Sequence, residues 1–302
     1  MNTTHELHEH DEDHDRGLGF DLPTLMNRRR IFQLAAGAGL LALVGCGSTT
    51  STSSPIAQST AASTSGSNPT AGTTAASTAS SATMADTSAA SGSLTEIPEE
   101  TAGPYPGDGS NGVNVLTESG IVRSNIRSSF GSSTTTAAGI PTTVTLTVLD
   151  VDTGAAVSGA AVYLWHCNIA GEYSMYSNDI KDENYLRGVQ VTDANGQVTF
   201  LSIYPACYSG RWPHIHYEVY PSVTDATAAS NKLATSQLAL PDASNQLVFA
   251  TTGYEESVSN YAQTSQSTDN VFSDGATLET PTVTGDVTSG IAIALRLAVS
   301  TS

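Results

Sequence analysis

Alternation of apolar and polar positions dominates the chain from about residue 94 onward. Thr143-Val144-Thr145-Leu146-Thr147-Val148-Leu149 places an aliphatic side chain at every second position, as a strand with one buried face requires. Asp152-Thr153-Gly154 follows as a turn, and Ala161-Val162-Tyr163-Leu164-Trp165 reads as the next strand. Gly188-Val189-Gln190-Val191-Thr192 and Gln197-Val198-Thr199-Phe200 flank Asp193-Ala194-Asn195-Gly196. The Asn-Gly pair favours positive φ, so this stretch predicts a hairpin. Further strands are predicted over 214–219, 233–240 and 291–299, and no long helical period appears. Short strands separated by turn signals predict an all-β domain, an antiparallel sandwich with long surface loops.

The front of the chain has a different pattern. Arg28, Arg29 and Arg30 precede an almost wholly apolar or small stretch over 31–44. That stretch is shorter than the roughly 20 residues that span a bilayer, and basic-then-apolar is the layout of an export signal. Arg29-Arg30-Ile31-Phe32 resembles a twin-arginine signal, and Leu43-Val44-Gly45-Cys46 a lipobox in which Cys46 takes lipid. An ordinary signal peptide or a single membrane anchor is the alternative. His5, His8, His10 and His14 lie among acids ahead of the arginines and would be discarded with the signal. Residues 47–93 are nearly all Ser, Thr, Ala and Gly, too poor in apolar surface to offset their ordering entropy. The expected organisation is therefore an export signal over 1–46, a disordered linker over 47–93 and a folded domain over 94–302. The expected location is a lipid-anchored one at the cell surface or the periplasmic face.

A net charge of −18 argues against nucleic acid, which needs clustered Lys and Arg. Three cysteines are too few for a disulfide scaffold. Cys167 and Cys207 remain once Cys46 takes lipid, and a disulfide between them stays open as an alternative to two free thiols.

The reactive side chains concentrate in Ile203-Tyr204-Pro205-Ala206-Cys207-Tyr208-Ser209-Gly210-Arg211-Trp212-Pro213-His214-Ile215-His216. His214 and His216 are two apart on a predicted strand, so both rings share one face while Ile215 turns to the core. That is good metal-ligand geometry, although a His-x-His pair also occurs by chance. Tyr208 lies six residues before His214, and Gly171-Glu172-Tyr173-Ser174 follows the Trp165 strand.

These residues resemble the intradiol ring-cleavage dioxygenases, the protocatechuate and catechol dioxygenases among them. The resemblance rests on Gly159 through Cys167, Gly171-Glu172-Tyr173-Ser174, Asp193-Ala194-Asn195-Gly196 and Ile203 through Tyr217. Glu100-Thr101-Ala102-Gly103-Pro104-Tyr105 and Asp269-Asn270-Val271-Phe272-Ser273-Asp274-Gly275 resemble two further family segments. It implies a non-haem Fe(III) held by Tyr173, Tyr208, His214 and His216. Hard phenolate oxygens suit such an ion, and the ion favours their deprotonated form. It implies an enzyme that uses O2 to cleave a catechol between its hydroxylated carbons, Tyr208 doubling as a base as the substrate binds. Arg211 would stabilise negative charge developing on the ring, and Gln237 would support it. Of the near neighbours, Tyr204 reads as core, Trp212 as packing and His166 as a structural hydrogen-bonding residue, while Tyr176 and Tyr105 are expected near the pocket. A lipid-anchored binding module and a zinc hydrolase are the competing functions. The sequence leaves the oligomeric state open.

Overall fold

The computed structural model describes residues 94–302. The expected export signal with Cys46 and the expected linker lie outside the described residues. Eight strands form two four-stranded sheets. The first sheet contains β1 (Pro141–Asp150), β4 (Gln197–Ile203), β7 (Thr282–Asp286) and β8 (Gly290–Val299), in the order β4-β1-β8-β7. The second contains β2 (Ala161–Trp165), β3 (Arg187–Val191), β5 (His214–Tyr220) and β6 (Ala234–Ala239), in the order β3-β2-β5-β6. Two short helices, α1 (Asp242–Phe249) and α2 (Glu255–Tyr261), follow β6.

The two sheets bury their residues differently. In β1, Val144, Leu146 and Val148 are buried while Thr143, Thr145 and Thr147 are half-exposed, and β8 likewise alternates buried Ile291, Ile293 and Leu295 with exposed Ala292, Ala294 and Arg296. This sheet is covered on one side only. Its apolar face packs on Val162, Leu164, Ile215, Tyr217, Val219 and Leu238 of the second sheet. Strands β2, β5 and β6, by contrast, are buried along their whole length. Their far face, with Ala161, Tyr163, Trp165 and Tyr220, is covered by the segment that brings in Val115, Leu116 and Ile121. That covered face is where His214 and His216 lie.

Two expectations are corrected. The stretch over 193–196 does not close a hairpin, because β3 pairs with β2 in one sheet and β4 with β1 in the other. It is a corner between sheets. Asp193 Oδ1 accepts from the backbone N–H groups of Asn195 and Gln197, and Gly196 sits at φ 73 with no room for a side chain, since a Cβ there would meet Val148 O at 2.4 Å. The second concerns direction. The sandwich stands, and most of its pairs are antiparallel, but β1 and β8 run parallel, from Thr142 opposite Ile291 to Asp150 opposite Val299.

Candidate active site

Strand β5 delivers two of the expected ligands as its period requires. His214 and His216 point to the covered face, and Ile215 is buried in the inter-sheet core. Tyr208 comes from the loop between β4 and β5, and Tyr173 from the loop after β2. Gly171, at φ 79, lets the two loops touch, since a Cβ there would meet Tyr208 Cβ at 2.9 Å. The four donor atoms converge. Tyr173 Oη lies 3.5 Å from Tyr208 Oη, 3.4 Å from His214 Nε2 and 3.3 Å from His216 Nε2. Tyr208 Oη is 3.2 Å from His214 Nε2, and the two Nε2 atoms are 3.1 Å apart. Donors held about 2.0 Å from one ion at tetrahedral angles lie about 3.3 Å from one another.

His214 Nδ1 lies 2.5 Å from Trp212 O, a carbonyl that can only accept, so Nδ1 carries the proton and Nε2 turns a lone pair to the cluster. The imidazoles are neutral. Burial, helped by the Arg211 charge, pulls His214 down to about 3, and burial with its His214 neighbour holds His216 well below the usual histidine range. Burial pushes the Tyr208 phenol up to about 12, with the Arg211 charge opposing it, and burial and the nearby Tyr208 hold Tyr173 well above the usual phenol value. Phenols held neutral by a dry pocket ionise when a cation enters it. The donor set therefore fits a hard, trivalent ion. Among the described residues, no group of three or more His, Cys, Asp or Glu is placed to hold a metal.

Arg211 reaches the same end of the sheet. Its Nε donates to Asp269 Oδ2 at 3.0 Å and its Nη2 to Gln237 Oε1 at 2.8 Å. Gln237 is opposite His216 in the β5–β6 register and donates its Nε2 hydrogen to Thr101 O at 2.8 Å. Sequence reasoning missed the role of Asp269. This buried carboxylate also accepts from the backbone N–H groups of Trp212, Val271 and Phe272. Burial alone would raise its pKa, but the Arg211 guanidinium and these N–H donors hold it below the usual carboxylate value. The signal was Asp269-Asn270-Val271-Phe272, a carboxylate at the head of a turn.

The neighbours fall where expected. Tyr204 is buried core with its hydroxyl on Asn245, and Trp212 packs on Tyr261. His166 is held by Cys167 O and Ser202 Oγ and takes no part in the donor cluster. Tyr105 stands with its ring 5.1 Å from that of Tyr173 and 5.2 Å from that of Tyr176. Gly103 borders His216, with Cε1 3.4 Å from where a Cβ would be. Cys167 and Cys207 are free, buried thiols, so the open alternative of a disulfide is not realised.

The family model described as Dioxygenase_C, Dioxygenase, matches residues 125–226, a range holding all four donors and Arg211. An intradiol ring-cleavage dioxygenase from Tetranychus urticae is similar in structure, with TM-score 0.55 and 27% identity over 68% of this chain and 95% of that one. The dioxygenase domain of a dioxygenase–carbohydrate-binding protein fusion from Streptomyces sp. SirexAA-E aligns with TM-score 0.45 and 20% identity, over 69% of this chain and 100% of that one. None of the curated proteins matches. Sandwich, donor cluster and family match together define a dioxygenase. The family match and the structural likeness support the intradiol ring-cleavage dioxygenases as this chain's relatives, against the binding-module reading.

Proposed function

We propose that the chain holds one non-haem Fe(III) through Tyr173, Tyr208, His214 and His216 and uses O2 to cleave a catechol between its two hydroxylated carbons. The observation that carries this reading is the convergence of two phenol oxygens and two imidazole nitrogens, five of whose six separations are 3.1–3.5 Å. When bound, the ferric ion would draw electron density from the chelated catecholate and open its ring to O2.

The chain's own residues supply the rest. The His214 proton on Nδ1 is held by Trp212 O, which aims Nε2 at the ion. The His216 ring lies flat against Trp165, with centroids 4.9 Å apart and planes 5° from parallel, which fixes its orientation. Tyr208 is half-buried, whereas Tyr173 is fully buried, so Tyr208 is the ligand with room to leave. Released as a phenolate, it would take one of the two catechol protons, matching its normal basicity rather than needing a separate base. Arg211, fixed by Asp269 and Gln237, offers a preoriented charge to electron density accumulating on the ring. Tyr105 and Tyr176 give that end of the site an aromatic wall suited to a flat ring. We further propose that the domain is exported and lipid-anchored through Cys46.

Oxygen uptake by the iron-loaded protein on catechol, with the product identified, tests the reading. A muconate-type diacid with one O2 consumed per ring supports it. Extradiol aldehyde products, or no uptake on any catechol, refute it.

A further inference from the structure

Arg187 opens β3 on the covered face of the second sheet and is 1% exposed. Its guanidinium is fully used. Nε donates to Ser174 Oγ at 3.1 Å and Nη2 to Ser174 O at 2.9 Å and Tyr105 O at 2.9 Å. Nη1 donates to Pro106 O at 2.8 Å and Tyr163 Oη at 3.0 Å. These bonds account for all five N–H groups a guanidinium has, and every one ends on an uncharged oxygen. A buried cation satisfied this way contributes little net stability, because desolvation offsets much of what the bonds return. It specifies geometry instead, and the geometry joins two loops. Ser174 follows the donor Tyr173, and Tyr105-Pro106 is the wall beside it.

Three more observations converge on this clasp. Gly107 lies against it at φ 68, where a Cβ would meet Arg187 Nη1 at 3.0 Å, and its N–H donates to Tyr176 Oη at 2.8 Å. The Tyr176 ring covers the guanidinium at 5.4 Å. Met175 (φ 73) and Leu186 (φ 57), the two non-glycine residues at positive φ among the described residues, stand next to Ser174 and Arg187, just inside the two ends of the stretch that joins them. Strain of that kind persists only where surrounding contacts over-determine it. Arg187 also belongs to a row that crosses the whole sheet. It is opposite Trp165, Trp165 is opposite His216, and His216 is opposite Gln237. Gln237 ties the far end of the same wall, at Thr101, to Arg211.

We infer that Arg187 is a positioning residue of this site, a guanidinium clasp that locks the Tyr173 loop to the 103–107 wall so that the donor and the substrate-facing surface keep a single arrangement. Its relevance to catalysis rests on Tyr173 being a ligand, but the clasp itself is readable without metal. Hydrogen–deuterium exchange on the metal-free full chain, native against Arg187→Met and Arg187→Lys, tests it. Both variants are expected to speed exchange in 103–107 and 173–177 together, by about tenfold or more, while β8 keeps its native rate. In the iron-loaded protein the phenolate charge-transfer band shifts and KM for catechol rises more than kcat falls. Lys supplies donors from one point and is not expected to rescue either segment. Should Arg187→Met fail to fold, Ser174→Ala, which removes the oxygen on Nε together with its bond to Tyr185 O, is expected to loosen the same two segments. Unchanged exchange, loosening of one segment alone, equal loosening of β8, or full rescue by Lys overturns the inference. If no catechol is turned over yet the two segments loosen together, the clasp stands and the proposed reaction falls.

Discussion

At the residue scale, Asp269 and Arg211 show how the site is held by contacts within the protein. Asp269 is fully buried and meets Arg211 through Nε and Nη2, while three backbone N–H groups close around it. Removing the charge from such a pair leaves a buried guanidinium without its counter-ion. Asp269→Asn is therefore expected to lower stability by about 2–3 kcal/mol, measured by urea unfolding, and to reduce kcat/KM for catechol on the order of tenfold to a hundredfold. The four donors were legible in the sequence because a strand's period of two puts His214 and His216 on one face, and because Tyr173 and Tyr208 sit in motif positions of the family it resembles. Asp269 and Arg187 were not legible as site residues. Each acts through contacts with residues far along the chain, such as Arg187 with Tyr105 across 82 positions, and no local period records such contacts.

At the scale of elements, β5 explains why this sheet needs both faces covered. Its sequence alternates His214, His216 and Glu218 with Ile215, Tyr217 and Val219, and all are buried. Polar residues on the covered face are tolerated because each has an assigned partner or purpose; Glu218, for one, accepts from Lys232 at 2.9 Å and from Tyr220 at 2.6 Å. Glu279 is one of several buried groups with an atom left unpaired. It is fully buried beside β6, Oε2 has no hydrogen-bond partner, and burial together with the neighbouring Glu100 pushes its pKa from 4.5 up to about 8. The folded pKa is raised, so the stability it confers is fully present below about pH 4.5 and is lost as pH rises through about 8. The melting temperature of the native chain is expected to fall across that window, and Glu279→Gln, which stays neutral, to flatten the fall. A slope that survives Glu279→Gln would locate it elsewhere. Strands with clean alternation, β1 and β8, were legible at once, and β2 was legible as a short aliphatic and aromatic run. β7 was not, because Thr282-Val283-Thr284-Gly285-Asp286 is mostly exposed and carries a single aliphatic residue. Helices α1 and α2 were missed for a related reason, since each is two turns long and rich in Ser and Asn. The corner at 193–196 looked like a hairpin because its local chemistry is the same. Only the pairing of β3 with β2 and of β4 with β1 distinguishes them.

At the scale of the whole molecule, one segment does what neither sheet can do alone. Residues from Ile97 to Phe130 close over the second sheet, with Ile97 buried in the inter-sheet core and Val115, Leu116 and Ile121 over the outer face. They supply Thr101 to Gln237, Gly103 beside His216 and Tyr105 to Arg187. The folded domain was legible as a sandwich, yet this cover was not, because it has no strand or helix period and is recognised only by what it packs against. Ahead of it stand the proposed anchor and linker. If Cys46 carries lipid, Cys46→Ala is expected to move the chain from the membrane fraction to the soluble fraction and to abolish labelling by a radioactive fatty acid, with activity of the domain retained. Labelling that persists in the variant would contradict the anchor.

The claim on which the rest depends is that two phenolates and two imidazoles share one ferric ion. Its most direct measurement is the iron content and visible spectrum of the purified full chain, taken beside Tyr173→Phe, Tyr208→Phe and His214→Ala. The account expects close to one iron per chain, with a phenolate-to-iron charge-transfer band that each tyrosine variant weakens or shifts and that His214→Ala loses with the metal. A colourless native protein after loading with iron, or a band indifferent to both tyrosine substitutions, would contradict it.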